Sequence, residues 1–299
     1  MEGGPVILRA EGIVQGYGDK IVLDGIDLEA ESGQLVTVLG PNGCGKSTLI
    51  KTLCGIYSPR AGTVTIDGED VITMERKARS RLISYVPQDY TSGGHSSVYD
   101  TVLMGRRPYI EWTYSQEDVA ICADAILKMK MENYVDSFIN QLSGGQLQRV
   151  VIARSLAQDP DFYIFDEPTS AFDMRNQLDL MRIMKAIIRD KGASLVVALH
   201  DINLAMRYSD KVLAMKDGKI YASGPPEEVI TPTMLKEVYN VSADVVETVH
   251  GRYVHIYDND GEEMADGYRF YRSSPIQVAC STCTSSPIQT CPRDAPMQR

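Results

Sequence analysis

The sequence predicts an α/β fold, and three observations carry that prediction. Short apolar runs at 34–39, 162–165 and 195–199 have the length and composition of strands buried on both faces. The first runs directly into a glycine-rich loop, Gly40-Pro41-Asn42-Gly43-Cys44-Gly45-Lys46-Ser47-Thr48. Between the second and third lies an amphipathic helix bearing Leu180, Met184, Ile187 and Ile188, and a β-α-β order of this kind implies parallel strands joined by a crossover.

Taken in order, the first 60 residues alternate short β-like runs with Gly-rich turns. After the loop, Leu49, Ile50 and Leu53 mark one helix face, and Gly55 supplies the left-handed turn that ends the helix. Residues 91–150 carry no strong strand run. There Ser115-Gln116-Glu117-Asp118 has the form of a capping box, opening a helix with Val119, Cys122, Ile126 and Met129 on one face, so 91–157 reads as a helical insertion. The helix of the β-α-β unit closes near Gly192. Past Pro225-Pro226, a short helical segment and alternating residues at 245–257 suggest a small β appendage over 225–272. The tail at 273–299 repeats Ser-Ser-Pro-Ile-Gln and has the composition of a disordered segment.

Charge and length exclude several classes. The 299 residues hold 30 Lys and Arg against 40 Asp and Glu, a net −10, so there is no general basic field to attract nucleic acid. Apolar runs fall far short of the about 20 residues needed to cross a bilayer. The opening Met1-Glu2-Gly3-Gly4 lacks a signal-peptide pattern, and a cytoplasmic site is expected. Six cysteines are too few for a disulfide framework. The tail pattern Cys280-x2-Cys283-x7-Cys291 is one ligand short of a tetrahedral metal site and has no nearby His, so metal binding is not expected there.

The motifs specify chemistry. Gly40-x4-Gly45-Lys46-Ser47, between a strand and a helix, is the phosphate-loop pattern. Its glycines let successive N–H groups turn toward a β-phosphate, the helix N-terminus adds partial positive charge, Lys46 reaches the β- and γ-phosphates, and the Ser47 hydroxyl can ligate Mg²⁺. Cys44 contributes backbone geometry, with the adjacent helix N-terminus acting to acidify its thiol. The run at 162–165 ends in Asp166-Glu167. Asp166 at the carboxyl end of a buried strand suits the Mg²⁺ shell, and Glu167, on the other face by strand alternation, suits polarising an attacking water. Leu142-Ser143-Gly144-Gly145-Gln146 opens a further helix with capping-box spacing, and its glycines leave several N–H groups unobstructed for a second anion site.

In that order, with Gln88 before the Leu-Ser-Gly-Gly-Gln segment and His200 after the strand at 195–199, the motifs resemble those of the ATP-binding subunits of ATP-binding-cassette (ABC) transporters over residues 6–224. The resemblance implies a P-loop nucleotide-binding core with an antiparallel β subdomain and a helical insertion. It implies ATP and Mg²⁺ as cofactors, adenine stacked on Tyr17, Gln88 sensing Mg²⁺ and the attacking water, and His200 contacting the γ-phosphate. Ser143, Gly144, Gly145 and Gln146 would bind the γ-phosphate held by an opposing copy of the chain, with Ser170-Ala171-Phe172-Asp173 as the loop that crosses between subunits. The sequence departs from the family pattern at Phe172, where Leu is common, and at Leu147, where a polar residue is frequent.

The stretch Thr101-Val102-Leu103-Met104-Gly105-Arg106-Arg107-Pro108-Tyr109 resembles importers of iron chelates, haem and vitamin B12. That resemblance implies an ATPase at the cytoplasmic face of a membrane, peripheral to a separate permease and indirectly served by a substrate-binding protein. Arg106, Arg107 and Tyr109 are expected to form an exposed ledge for the permease. A cassette ATPase without a membrane partner is the alternative. The absence of a sustained heptad array or a second phosphate loop argues against the repair and translation forms of that class.

Overall fold

Alternation along the buried strands decides which layer each side chain joins. The computed structural model describes residues 6–90, 95–249 and 251–257. β1 (Ile7–Tyr17) and β2 (Lys20–Glu31) form an antiparallel pair, followed by β3 (Leu35–Leu39), α1 (Lys46–Leu53), β4 (Ala61–Ile66) and β5 (Glu69–Asp70). α2 (Arg76–Leu82) leads into β6 (Ile83–Val86). Then come α3 (Val98–Leu103), a 3-10 turn at Met104–Tyr109, α4 (Gln116–Lys128) and α5 (Gly144–Gln158). β7 (Phe162–Asp166), α6 (Met174–Lys191), β8 (Ser194–Ala198), α7 (Ile202–Tyr208), β9 (Lys211–Lys216) and β10 (Lys219–Gly224) complete the central layers. α8 (Pro226–Val229), α9 (Pro232–Tyr239) and the hairpin of β11 (Ser242–Thr248) and β12 (Gly251–Tyr257) follow.

The central sheet runs β10-β9-β3-β8-β7-β6. Its strands are parallel except for the antiparallel edge strand β10. A second, antiparallel sheet has the order β2-β1-β4-β5. Along β7, Tyr163 and Phe165 point into one apolar cluster and Phe162 and Ile164 into the other; β8 divides Leu195 and Val197 from Val196 and Ala198 in the same way. The first cluster joins the sheet to α4, α5 and α6. The second joins it to α1 and to Leu8, Ile13, Leu23 and Ile26 of the antiparallel sheet. A side chain so buried contributes about 1.5–3 kcal/mol, and apolar or aromatic residues accordingly fill both faces of Phe162–Phe165 and Leu195–Ala198. Both carboxylates of the Asp166-Glu167 pair therefore emerge at one edge, beside the ends of β3 and β8.

The helix after the glycine loop, the capping box at Ser115 and the left-handed stop at Gly192 (φ 68°) all form as the sequence predicts. One assignment within α4 is corrected. Val119 is exposed, whereas Cys122, Ile126 and Met129 are buried, because the buried stripe runs through Asp118, Cys122, Ala125 and Ile126 and Val119 falls to one side of it. Val229, Leu235, Val238, Ala243 and Val254 pack into the helical-side cluster, so the α8–β12 segment extends the same core. The tail, its three cysteines and the end of the expected appendage lie outside the described residues.

Candidate functional site

The loop between β3 and α1 must turn sharply against packed neighbours. A Cβ on Gly40 (φ 155°) would stand 2.6 Å from both Cys44 Sγ and the Met215 carbonyl oxygen, and one on Gly45 (φ 110°) would stand 2.8 Å from Leu23 Cδ2. Both positions need glycine for space as well as for conformation. The turn carries Lys46 into a buried position, where its ammonium donates to the Gly40 carbonyl at 2.8 Å and the Pro41 carbonyl at 3.3 Å. Ser47, the next residue, donates its hydroxyl to Asp166 Oδ1 at 3.0 Å. Burial pushes the Asp166 carboxyl above its ordinary pKa, opposed by the Ser47 hydrogen bond.

Glu167 leaves β7 in the left-handed region (φ 50°), its N–H held by the Ala198 carbonyl at 3.2 Å. This turn, rather than strand alternation alone, aims the side chain. Its carboxylate is 6% exposed and is the hub of the cleft. Gln88 Nε2 donates to Oε2 at 2.8 Å, His200 Nε2 lies 2.6 Å from the same oxygen, and Lys46 Nζ lies 3.7 Å from Oε1. Gln88 follows β6 and His200 follows β8, so three neighbouring strand ends supply the cluster. The cleft they border has a volume of ≈ 340 Å³, and Asn42, Gly43, Gly45, Ser47 and Thr48 complete most of its wall. Polar side chains and loop N–H groups around a lysine and a carboxylate suit a phosphate chain and a water beside it.

The other expected residues fall in distinct places. Tyr17 is half exposed, edge-on to Tyr57 with ring centres 5.9 Å apart, and its hydroxyl is 3.5 Å from Thr48 Oγ1 at the cleft rim. Ser143 caps α5 in the expected reciprocal manner, with Ser143 N donating to Gln146 Oε1 at 2.9 Å. The α5 start does not border the phosphate-loop cleft. It borders a separate cavity of ≈ 210 Å³ with Asp89, Tyr90, Ser170 and Ala171, and Gln88 lies on the wall of both. A single copy of the chain therefore keeps the α1 and α5 starts on separate cavities.

Two expectations are corrected by the structure. Cys44 is buried, and desolvation raises its thiol pKa more than Lys46 and the nearby backbone N–H groups lower it, so the thiol is not acidified. Arg106 is no part of an exposed ledge. Its guanidinium is buried, donating to Asp118 Oδ1 at 2.8 Å and to the Ala157 carbonyl at 2.9 Å, with the Tyr109 ring 4.0 Å away. Arg107 is exposed and Tyr109 is half-buried. Sequence reasoning missed Val22, which walls the cleft, and Tyr57; neither stands in a pattern that marks a ligand site.

Comparison with known proteins places this geometry among relatives. The family model described as ABC transporter matches residues 23–170. An uncharacterized ABC transporter ATP-binding protein of Methanocaldococcus jannaschii is 41% identical over 246 residues, covering 82% of this chain and 96% of its own. The petrobactin import ATP-binding protein YclP of Bacillus subtilis is 32% identical over 251 residues, covering 84% and 99%. Among solved structures, an inward-facing ABC transporter assigned to the metal-chelate type superposes with a TM-score of 0.72 at 25% identity, covering 84% of this chain and 97% of that one. The cassette MJ0796, solved as a dimer, gives 0.68 at 28% identity, covering 73% and 98%.

Proposed function

The chain belongs to the ATP-binding subunits of ABC transporters, and from that membership we propose that it hydrolyses ATP to power import of a metal chelate through a separate membrane permease. A ferric siderophore is the favoured cargo class, with haem and corrinoid as the neighbouring possibilities; the petrobactin-import relative supports the first. The observation that carries the ATPase reading is the Glu167 hub, where one buried carboxylate meets Gln88, His200 and Lys46 beside the phosphate loop.

In this reading the N–H groups at the start of α1 and the loop glycines receive the β-phosphate, and the Lys46 ammonium exchanges its loop carbonyls for phosphate oxygens. Glu167 orients the attacking water and accepts its proton at a carboxylate oxygen. The Gln88 amide and His200 imidazole hold that carboxylate in place, and either can turn to the γ-phosphate when it arrives. Tyr17, at the rim beside Thr48, stacks on adenine. Oxygen donors from Ser47, Asp166 and Gln88 suit a hard cation, and the raised pKa of the buried Asp166 fits a carboxylate built to face one. Mg²⁺ held there supplies charge neutralisation on the phosphate oxygens.

Ser143, Gly144, Gly145 and Gln146 serve the ATP of a second copy, which is supported by their separation from the chain's own cleft and by the dimeric cassette. Residues 6–224 carry the ATPase motifs, and the described part of the expected appendage, up to Tyr257, packs into the same core. No helix among the described residues is long and apolar enough to cross a membrane. We place the chain at the cytoplasmic face of the membrane, peripheral to the permease. Docking uses the groove of ≈ 600 Å³ bordered by Tyr109 and the 93% exposed Trp112, with Arg107 at hand, while Arg106 supports it from beneath. A substrate-binding protein delivers the cargo on the far side.

The test is uptake of a labelled ferric siderophore by cells lacking the chain, complemented with wild type or Glu167→Gln. Restoration by wild type alone is the expected result. Restoration by both would remove Glu167 from its role, and no restoration by wild type, alongside intact ATP hydrolysis, would reject the cargo class.

A further inference from the structure

The cavity between the α5 start and the 170–171 loop contains a group that the ATPase reading does not use. Gln148, in the second turn of α5, is 4% exposed, and its Nε2 has no hydrogen-bond partner among the described residues. It lines the ≈ 210 Å³ cavity together with Gln88, Gly144, Leu147, Ser170 and Ala171. A buried amide N–H left unpaired weighs against the conformation that holds it, whereas the same amide paired with a carbonyl does not.

An acceptor stands close by. The Ala171 carbonyl oxygen lies 3.2 Å from the point a Cβ on Gly145 would occupy, so it faces α5 directly over that residue. Gln148 is three residues further along α5, on the same helix face. The loop holding Ala171 is tied to the catalytic strand end, since Ser170 N donates to the Glu167 carbonyl at 3.2 Å. The cavity thus has one wall from the α5 start, one from the segment after β6 that carries Gln88, and one from the loop after Glu167.

We propose that Gln148 is a positioning residue: when ATP closes the site, its amide N–H takes a carbonyl of the 170–171 loop and latches the α5 start to the strand end that carries Glu167. The inference rests on the reading of the α5 start and Glu167 as parts of a shared ATP site. A donor unpaired in one conformation and paired in the other favours the second by their difference, which biases the chain toward the hydrolysing arrangement. Gln148 touches neither phosphate nor water in this scheme.

The test uses the full chain with Gln148→Leu and Gln148→Glu, measuring thermal unfolding without nucleotide and steady-state ATP hydrolysis with Mg²⁺. Leu removes the unpaired donor at similar volume, so Tm is expected to hold or rise while kcat falls by on the order of tenfold or more with KM nearly unchanged. Glu keeps the shape but presents an acceptor to a carbonyl, so it should not restore kcat, whereas Gln148→Asn, which retains an amide, should restore part of it. Wild-type kcat in the Leu variant would overturn the latch, and so would a kcat loss matched by a fall in Tm and rescued by Glu. Failure of the underlying ATPase reading is separately visible, because Glu167→Gln would then hydrolyse ATP like the wild type.

Discussion

Glu167 and Asp166 are adjacent carboxylates with different surroundings, and their substitutions should differ accordingly. Lys46→Ala is expected to weaken ATP binding, measured by titration calorimetry. Glu167→Gln keeps the shape and the Gln88 and His200 neighbours but loses the base, so ATP should remain bound while phosphate release slows by on the order of 10² or more. For Asp166 the sign runs the other way in stability. Burial raises its folded-state pKa above the unfolded value, so the charged form opposes folding at neutral pH and that opposition fades as pH falls through the raised pKa. Asp166→Asn should therefore raise Tm at neutral pH, with the gain shrinking in acid, and should lose Mg²⁺-dependent hydrolysis; a melting series across pH checks this. These residues were legible in the sequence because each stands in a short motif at a strand end. The left-handed turn at Glu167 was not, since a positive φ at a glutamate leaves no trace in residue pattern, and the burial of Cys44 depends on Met215 and other groups distant in the chain.

At the scale of elements, the strands flanking the motifs were readable because both their faces are buried, leaving unbroken apolar runs. β6, β9 and β10 were not singled out: β6 contributes only Ile83–Val86 and includes Ser84, β9 confines its apolar run to Val212–Met215 between two lysines and next to no motif, and the edge strand β10 carries polar residues. Arg106 was misplaced for a similar reason. Its partner Asp118 is 12 residues away and on another helix, a pairing that local pattern cannot show. Breaking a buried pair by removing one side costs about 3–5 kcal/mol, so Arg106→Ala should lower Tm markedly by stranding Asp118. Trp112→Ala, at an exposed site, should leave Tm within a degree or so while reducing association with membranes that hold the permease. Thermal unfolding and membrane co-sedimentation of the two variants separate the buried support from the proposed docking surface; equal Tm values for both would refute the division.

Over the whole molecule, the α1 and α5 starts lie on different cavities with Gln88 on the wall of both, and the proposed composite site accordingly calls for a second copy. On that proposal ATP is expected to favour the dimer by its higher affinity for the closed arrangement, and loss of the γ-phosphate to release it. Because Gln88 borders both cavities and precedes the helical insertion, the same loss is expected to change the contacts of α3 to α5 with the sheet, the movement the proposed permease contact would receive. Sedimentation velocity of Glu167→Gln tests this most directly, run at one protein concentration with saturating Mg²⁺-ATP and with Mg²⁺-ADP. A dimer with ATP and a predominantly monomeric chain with ADP is the predicted result. A monomer at saturating ATP, with binding of the nucleotide confirmed in the same sample, would contradict the composite site.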